Sequence, residues 1–114
     1  MSNLKQLKEQ FDKVYIKYDG TSCSVLLVDG LNVFKGTSQC HKEDNFNRKL
    51  GRTIALGRAE LAYKVGSGDA EPRTGIKLLS TGFYSEYPKQ AIIRCGTPEI
   101  LEECINSFVQ KKIQ

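Results

Sequence analysis

The stretch KVYIKYDGTSCSVLLVDGLNVFKGTSQ, residues 13–39, holds two Asp-Gly pairs, at 19–20 and 29–30. Each pair stands between runs rich in β-branched and aromatic residues. Asp-Gly readily adopts the left-handed backbone of a tight hairpin turn, and between such runs it is a strong short-range hairpin signal. Two in succession predict a three-stranded antiparallel meander. Val14, Ile16 and Tyr18 share one face of the first strand. Residues 23–28 are apolar on both faces, which predicts the central strand. Residues 31–39 form the third.

Upstream, Leu4, Leu7 and Phe11 fall at helical spacing among Lys, Gln and Glu, so a short amphipathic helix is expected over about 3–11. Downstream, residues 44–64 read as a long helix. Residues 65–75, with Gly66, Gly68, Pro72 and Gly75, read as a loop. Strand candidates follow at 76–87 and 89–95. Thr97 is suited to cap a last helix, with Pro98 at its first position and Glu99 beside its positive end. Ile100, Leu101, Cys104, Ile105, Phe108 and Val109 give that helix an apolar face. The expected order is α-β-β-β-α-β-β-α in one domain over 1–114. The expected class is α+β: an antiparallel sheet of the meander plus two further strands, with helices packed on one face.

The composition is ordinary for a globular domain, with 39% hydrophobic and 26% charged residues among 114. A net charge of +4 permits phosphate-bearing partners without demanding them. No run of about 18 apolar residues predicts a membrane span, and the first residues lack the apolar core of a signal peptide. A cytoplasmic location is therefore expected. Cys23, Cys40, Cys95 and Cys104 form no C-x-x-C pair and are expected to be free thiols. Cys40 and His41 lack a second pair at metal-ligand spacing, so neither a metal nor a cofactor is expected.

The segment DNFNRKLGRTIALGRAEL, residues 44–61, carries two glycines and three arginines within a helical pattern. Asp44 is a suitable N-cap. At 100° per residue, Phe46, Leu50, Thr53, Ile54, Gly57 and Leu61 share a broad side, read as the core face, with Gly57 admitting a strand. On the other side Arg48, Arg52, Ala55, Ala59 and Ala62 form a stripe flanked by Gly51 and Arg58. Small residues at this spacing let another backbone come close. Three uses are open: a cover from the terminal helix, self-association through Gly51, Ala55, Ala59 and Ala62, or a ligand surface. Guanidinium groups fit phosphate or carboxylate bidentately. Arg48, Arg52 and Arg58, joined by Lys42 and Lys49, thus form a candidate anion site near a helix N-terminus. Ordinary salt bridges to Glu43, Asp44 or Glu60 are the competing use.

Phe83, Tyr84 and Tyr87 could stack on a base or simply line one sheet face. The glycine-rich loop lacks the Lys-Ser/Thr ending of a phosphate loop. No G-x-S-x-G, H-E-x-x-H or paired-carboxylate pattern occurs, and there is a single histidine. A non-enzymatic protein is expected.

Residues 36–62 resemble a pattern of small tailed-phage accessory proteins, in which a hairpin leads into a Cys, an acidic helix start, an aromatic and G-R-x-x-A-x-x-R-A. Here these are Cys40, Asp44, Phe46, Gly51, Arg52, Ala55, Arg58 and Ala59. The resemblance covers about a quarter of the chain. It implies a counter-defence protein of the host cytoplasm. One form is a sponge that sequesters a phosphate-bearing ligand such as a cyclic nucleotide immune signal, in a pocket shared by a homodimer. A second is a direct inhibitor of a host defence nuclease, of the anti-CRISPR type. A third is a nucleic-acid-binding accessory protein, for which a denser basic stripe is the usual footprint.

Overall fold

The computed structural model describes residues 4–39, 48–68, 76–79 and 90–110. The elements are α1 (Leu4–Gln10), β1 (Lys13–Asp19), β2 (Ser22–Asp29), β3 (Asn32–Gln39), α2 (Arg48–Ser67), β4 (Lys77–Leu79), β5 (Gln90–Arg94) and α3 (Pro98–Gln110). The class is α+β, as the order of elements predicts.

Both Asp-Gly pairs make the turns expected of them. Gly20 and Gly30 take φ of +62° and +64°, which costs little without a Cβ. The Gly30 amide donates to the Asp12 carboxylate at 2.8 Å, fixing the second turn to the start of β1. β1, β2 and β3 form the antiparallel meander, with Tyr18 opposite Cys23 and Leu27 opposite Phe34. β5 joins antiparallel beside β3, setting Phe34 opposite Ile92. The sheet order is β1-β2-β3-β5-β4. β4 pairs with β5 in parallel, so the sheet is antiparallel in four strands and mixed at one edge.

The expectation of helices on one face is corrected. Successive strand side chains point to opposite faces, and β2, β3 and β5 are apolar on both. Such strands need two covers. Val25, Leu27, Phe34 and Ile92 meet Leu7 and Phe11 near α1 and Ala55, Leu56, Ala59 and Ala62 of α2. Leu26, Val28, Val33, Ala91 and Ile93 meet Cys104 and Phe108 of α3. The sheet is therefore a middle layer between α1 and α2 on one side and α3 on the other. Each fully buried Val, Leu, Ile or Phe contributes about 1.5–3 kcal/mol from apolar burial.

α3 starts as its sequence predicts. The Ile100 amide donates to Thr97 Oγ1 at 3.2 Å, and the Leu101 amide to the Thr97 carbonyl at 3.0 Å. Its other end is held by Lys17 of β1. That ammonium donates to the Phe108 carbonyl at 2.9 Å and stands 5.7 Å from the centre of the Phe108 ring.

Candidate functional site

The long helix is turned about its axis relative to the sequence reading. Ala55, Ala59 and Ala62 are fully buried against the sheet, while Leu50 is 57% and Ile54 40% exposed. The cause lies in β3. Phe34, Gly36 and Ser38 all face α2. A Cβ on Gly36 would overlap the Ala55 carbonyl oxygen and the Ala59 amide nitrogen. The helix backbone thus lies directly on the strand at Gly36, and only small residues fit the line of contact. One turn beyond, Ser38 Oγ donates to the Gly51 carbonyl at 2.7 Å. At the other end Gly66 accommodates the Phe34 ring, whose Cε1 would lie 2.9 Å from an added Cβ. Gly51, Ala55, Ala59, Ala62 and Gly66 therefore form one small-residue ridge running antiparallel to β3. Beside the ridge, Tyr63 meets the rings of Phe11 and Phe34 edge-on, at 4.9 and 5.2 Å between centroids.

This corrects the interface expectation. Gly51, Ala55, Ala59 and Ala62 serve the chain's own sheet, and the three alanines have no surface to offer a second copy. They are also not covered by the terminal helix, since α3 lies across the sheet.

The arginine cluster is divided as well. Arg58 Nη1 donates to the Thr37 carbonyl at 2.6 Å. Among the described residues the last β3–β5 pair is Gly36 opposite Gln90, and Thr37 follows Gly36 in β3. Gln90 Nε2 in turn donates to the Arg58 carbonyl at 3.1 Å. Arg58 thus ties α2 to β3 and, through Gln90, to β5. Arg52 stands near enough to Cys23, at the start of β2, that its guanidinium pulls the thiol pKa down, although burial there pushes it up by more. Lys49 is exposed on the first turn. Arg48 begins α2, but its side chain lies outside the described residues, as do Lys42, Cys40, His41, Asp44, Phe46 and the aromatic group Phe83, Tyr84 and Tyr87. Arg52 and Arg58 do not converge on one anion.

The surface that the sequence reading missed is the outer face of α2. Leu50, Ile54, Gly57 and Leu61 recur at i, i+4, i+7 and i+11, a single stripe of the helix. Gly57 has open space where a side chain would stand. The large exposed apolar residues among those described are Leu50, Ile54, Leu78 and Val109, so two of them fall on this stripe. Lys49 and Lys64 stand exposed beside it. The signal for this orientation was Gly36, a glycine within a strand, which marks close approach of another backbone.

Cys23, Cys95 and Cys104 are buried free thiols. The Cys104 pKa is pushed up to about 12, first by burial and then by its neighbour Cys95, with Lys35 pulling the other way. Cys95 is raised by burial too. The unfolded chain would ionise these thiols near the ordinary value of 9.0, so between there and about 12 it binds fewer protons than the folded chain. Stability is then unaffected below about pH 9 and falls as pH rises toward 12, on the order of a few kcal/mol. Urea midpoints at pH 8, 9.5 and 10.5 are expected to drop steadily. A Cys104→Ala variant should show a flatter decline, and equal slopes in both proteins would refute the assignment.

No group of three or more potential metal ligands occurs among the described residues. No described helix is long and apolar enough to cross a membrane. Compared with models of known families, with curated proteins and with solved structures, the chain matches none of them.

Proposed function

We propose that the protein acts by binding another protein through the outer face of α2, without catalysing a reaction. The observation that carries this is the exposed stripe of Leu50, Ile54 and the bare Gly57, with Lys49 and Lys64 beside it. A contiguous apolar surface with a charged rim is what a docking partner covers. The basic rim selects a partner whose own apolar patch is edged by carboxylates. The tailed-phage resemblance of residues 36–62 supplies the setting: the partner is a host defence protein, such as a nuclease, and binding disables it.

The competing reading keeps a phosphate-bearing ligand at the start of α2. It retains Arg52 and Lys49 but loses Arg58 to the sheet. The two readings separate in one experiment. Bacterial strains that each carry one defence system are infected with a phage it restricts, while expressing wild type or a variant. Wild type is expected to restore plating on at least one strain. Leu50→Glu/Ile54→Glu places two carboxylates in the interface and should weaken docking about a hundredfold or more, removing the effect. Circular dichroism should show it folded, since both side chains are exposed. Arg52→Ala should act like wild type. Loss of activity with Arg52→Ala and not with the double variant would favour the anion instead. No restoration on any strain would end the counter-defence reading.

A further inference from the structure

β1 is one edge of the sheet, and among the described residues no strand pairs with its outer side. It runs seven residues in unbroken register with β2, from Lys13 to Asp19. It contains neither proline nor bulge. Natural edge strands are usually shortened, bent or guarded by charges, because their outward N–H and C=O groups recruit other strands. Lys17 is the guard expected near the middle. Its ammonium is folded back on α3, donating to the Phe108 carbonyl at 2.9 Å. Open clefts flank the strand. One of about 510 Å³ is lined by Tyr15, Ile16, Lys17, Tyr18, Phe108 and Val109. Another of about 360 Å³ is lined by Lys8, Asp12, Lys13, Val14 and Tyr15.

We infer that β1 pairs antiparallel with β1 of a second copy, about a two-fold axis at Ile16, joining two sheets into one. The sequence of the strand selects this occupant and this register. With Ile16 opposite Ile16, Val14 falls opposite Tyr18 and Tyr15 opposite Lys17. Position 13, a lysine, falls opposite position 19, an aspartate, at both ends. Sliding by two residues to centre on Tyr15 would set Lys13 opposite Lys17. Centring on Lys17 would set two lysines face to face. Opposite charges across a strand pair favour it and like charges oppose it. Of these three registers, the one centred on Ile16 sets basic opposite acidic at both ends and places no like charges face to face. This edge is separate from the outer face of α2 and does not depend on the function proposed for that face.

Sedimentation equilibrium at tens of micromolar should give the mass of two chains. Lys13→Asp turns both end pairs from opposite to like charge and should raise the dissociation constant about tenfold or more. Asp19→Lys should do the same. The exchanged variant Lys13→Asp/Asp19→Lys restores opposite charges and should recover dimerisation, which separates an interface effect from misfolding. Residues paired across antiparallel strands have Cα atoms about 4.5–5.5 Å apart, within disulfide range. In a Cys40→Ser background, Ile16→Cys should therefore form a covalent dimer with diamide, while Leu50→Cys on α2 should not. A one-chain mass for wild type at these concentrations would overturn the inference. So would unchanged association of Lys13→Asp, or cross-linking through Leu50→Cys in place of Ile16→Cys.

Discussion

Gly36→Val is expected to leave the protein unfolded or nearly so at 25 °C. A Cβ at this position overlaps the Ala55 carbonyl oxygen and the Ala59 amide nitrogen, and lies 2.9 Å from the Arg58 carbonyl carbon. These are backbone atoms in the middle of α2, so no rotamer change relieves the clash. The helix must lift from the sheet along its length. Overpacking in cores costs about 1–3 kcal/mol when side chains can adjust. Here about 3 kcal/mol or more is expected, a large part of the 5–15 kcal/mol that holds a typical domain together. Even Gly36→Ala should be severe. Gly57→Ala is the matched control on α2, because its Cβ meets open space. It removes a helix-interior glycine and should stabilise by about 0.5–1 kcal/mol. Thermal melts followed by circular dichroism compare the variants directly. A Gly36→Val melt within a few degrees of wild type would mean that α2 does not rest on β3.

The contrast between these glycines explains where the sequence was readable. The meander was legible because Asp19-Gly20 and Asp29-Gly30 encode their turns locally, in four residues each. The start of α3 was legible for the same reason, since Thr97 and Pro98 act within one helical turn. The two-sided character of residues 23–28 was also visible. It implied covers on both faces of the sheet, and placing all helices on one face overlooked that consequence.

The orientation of α2 was not legible from α2 itself. A helix with leucine and isoleucine on one side and alanine and glycine on the other can bury either. Counting apolar bulk favours Leu50, Ile54 and Leu61. Close approach favours Ala55, Ala59 and Ala62, because it brings the helix backbone onto the sheet and buries more surface around the contact. What decides is the partner. Gly36 removes the side chain that would hold the helix away, and Phe34 fills the space beside Gly66 and Tyr63. That information sits about twenty residues upstream in β3. Arg58 failed as a ligand candidate for a similar reason: its partner, the Thr37 carbonyl, belongs to β3 and is brought to it only by the fold. The exposed stripe of Leu50, Ile54 and Gly57 follows once the ridge is fixed.

The other large effect is expected at the opposite face. Phe108 is the buried anchor of α3, 1% exposed, among Leu26, Val28, Val33, Ile93 and Cys104. Phe108→Ala deletes the ring and leaves a cavity between α3 and the sheet, at a cost of about 3–5 kcal/mol. It also withdraws the ring 5.7 Å from the Lys17 ammonium, a contact worth about 0.5–1 kcal/mol at a partly exposed site. The Lys17 bond to the Phe108 carbonyl closes the last turn of α3, so loosening the anchor also loosens the tie between α3 and the edge strand β1. Phe108→Ala should therefore lower the melting temperature sharply and, at temperatures where it stays folded, weaken self-association through β1. Phe108→Leu keeps most of the volume and should cost much less. The test combines urea unfolding with sedimentation at 10 °C. A Phe108→Ala protein that loses less than about 1 kcal/mol would show that α3 does not dock through this ring.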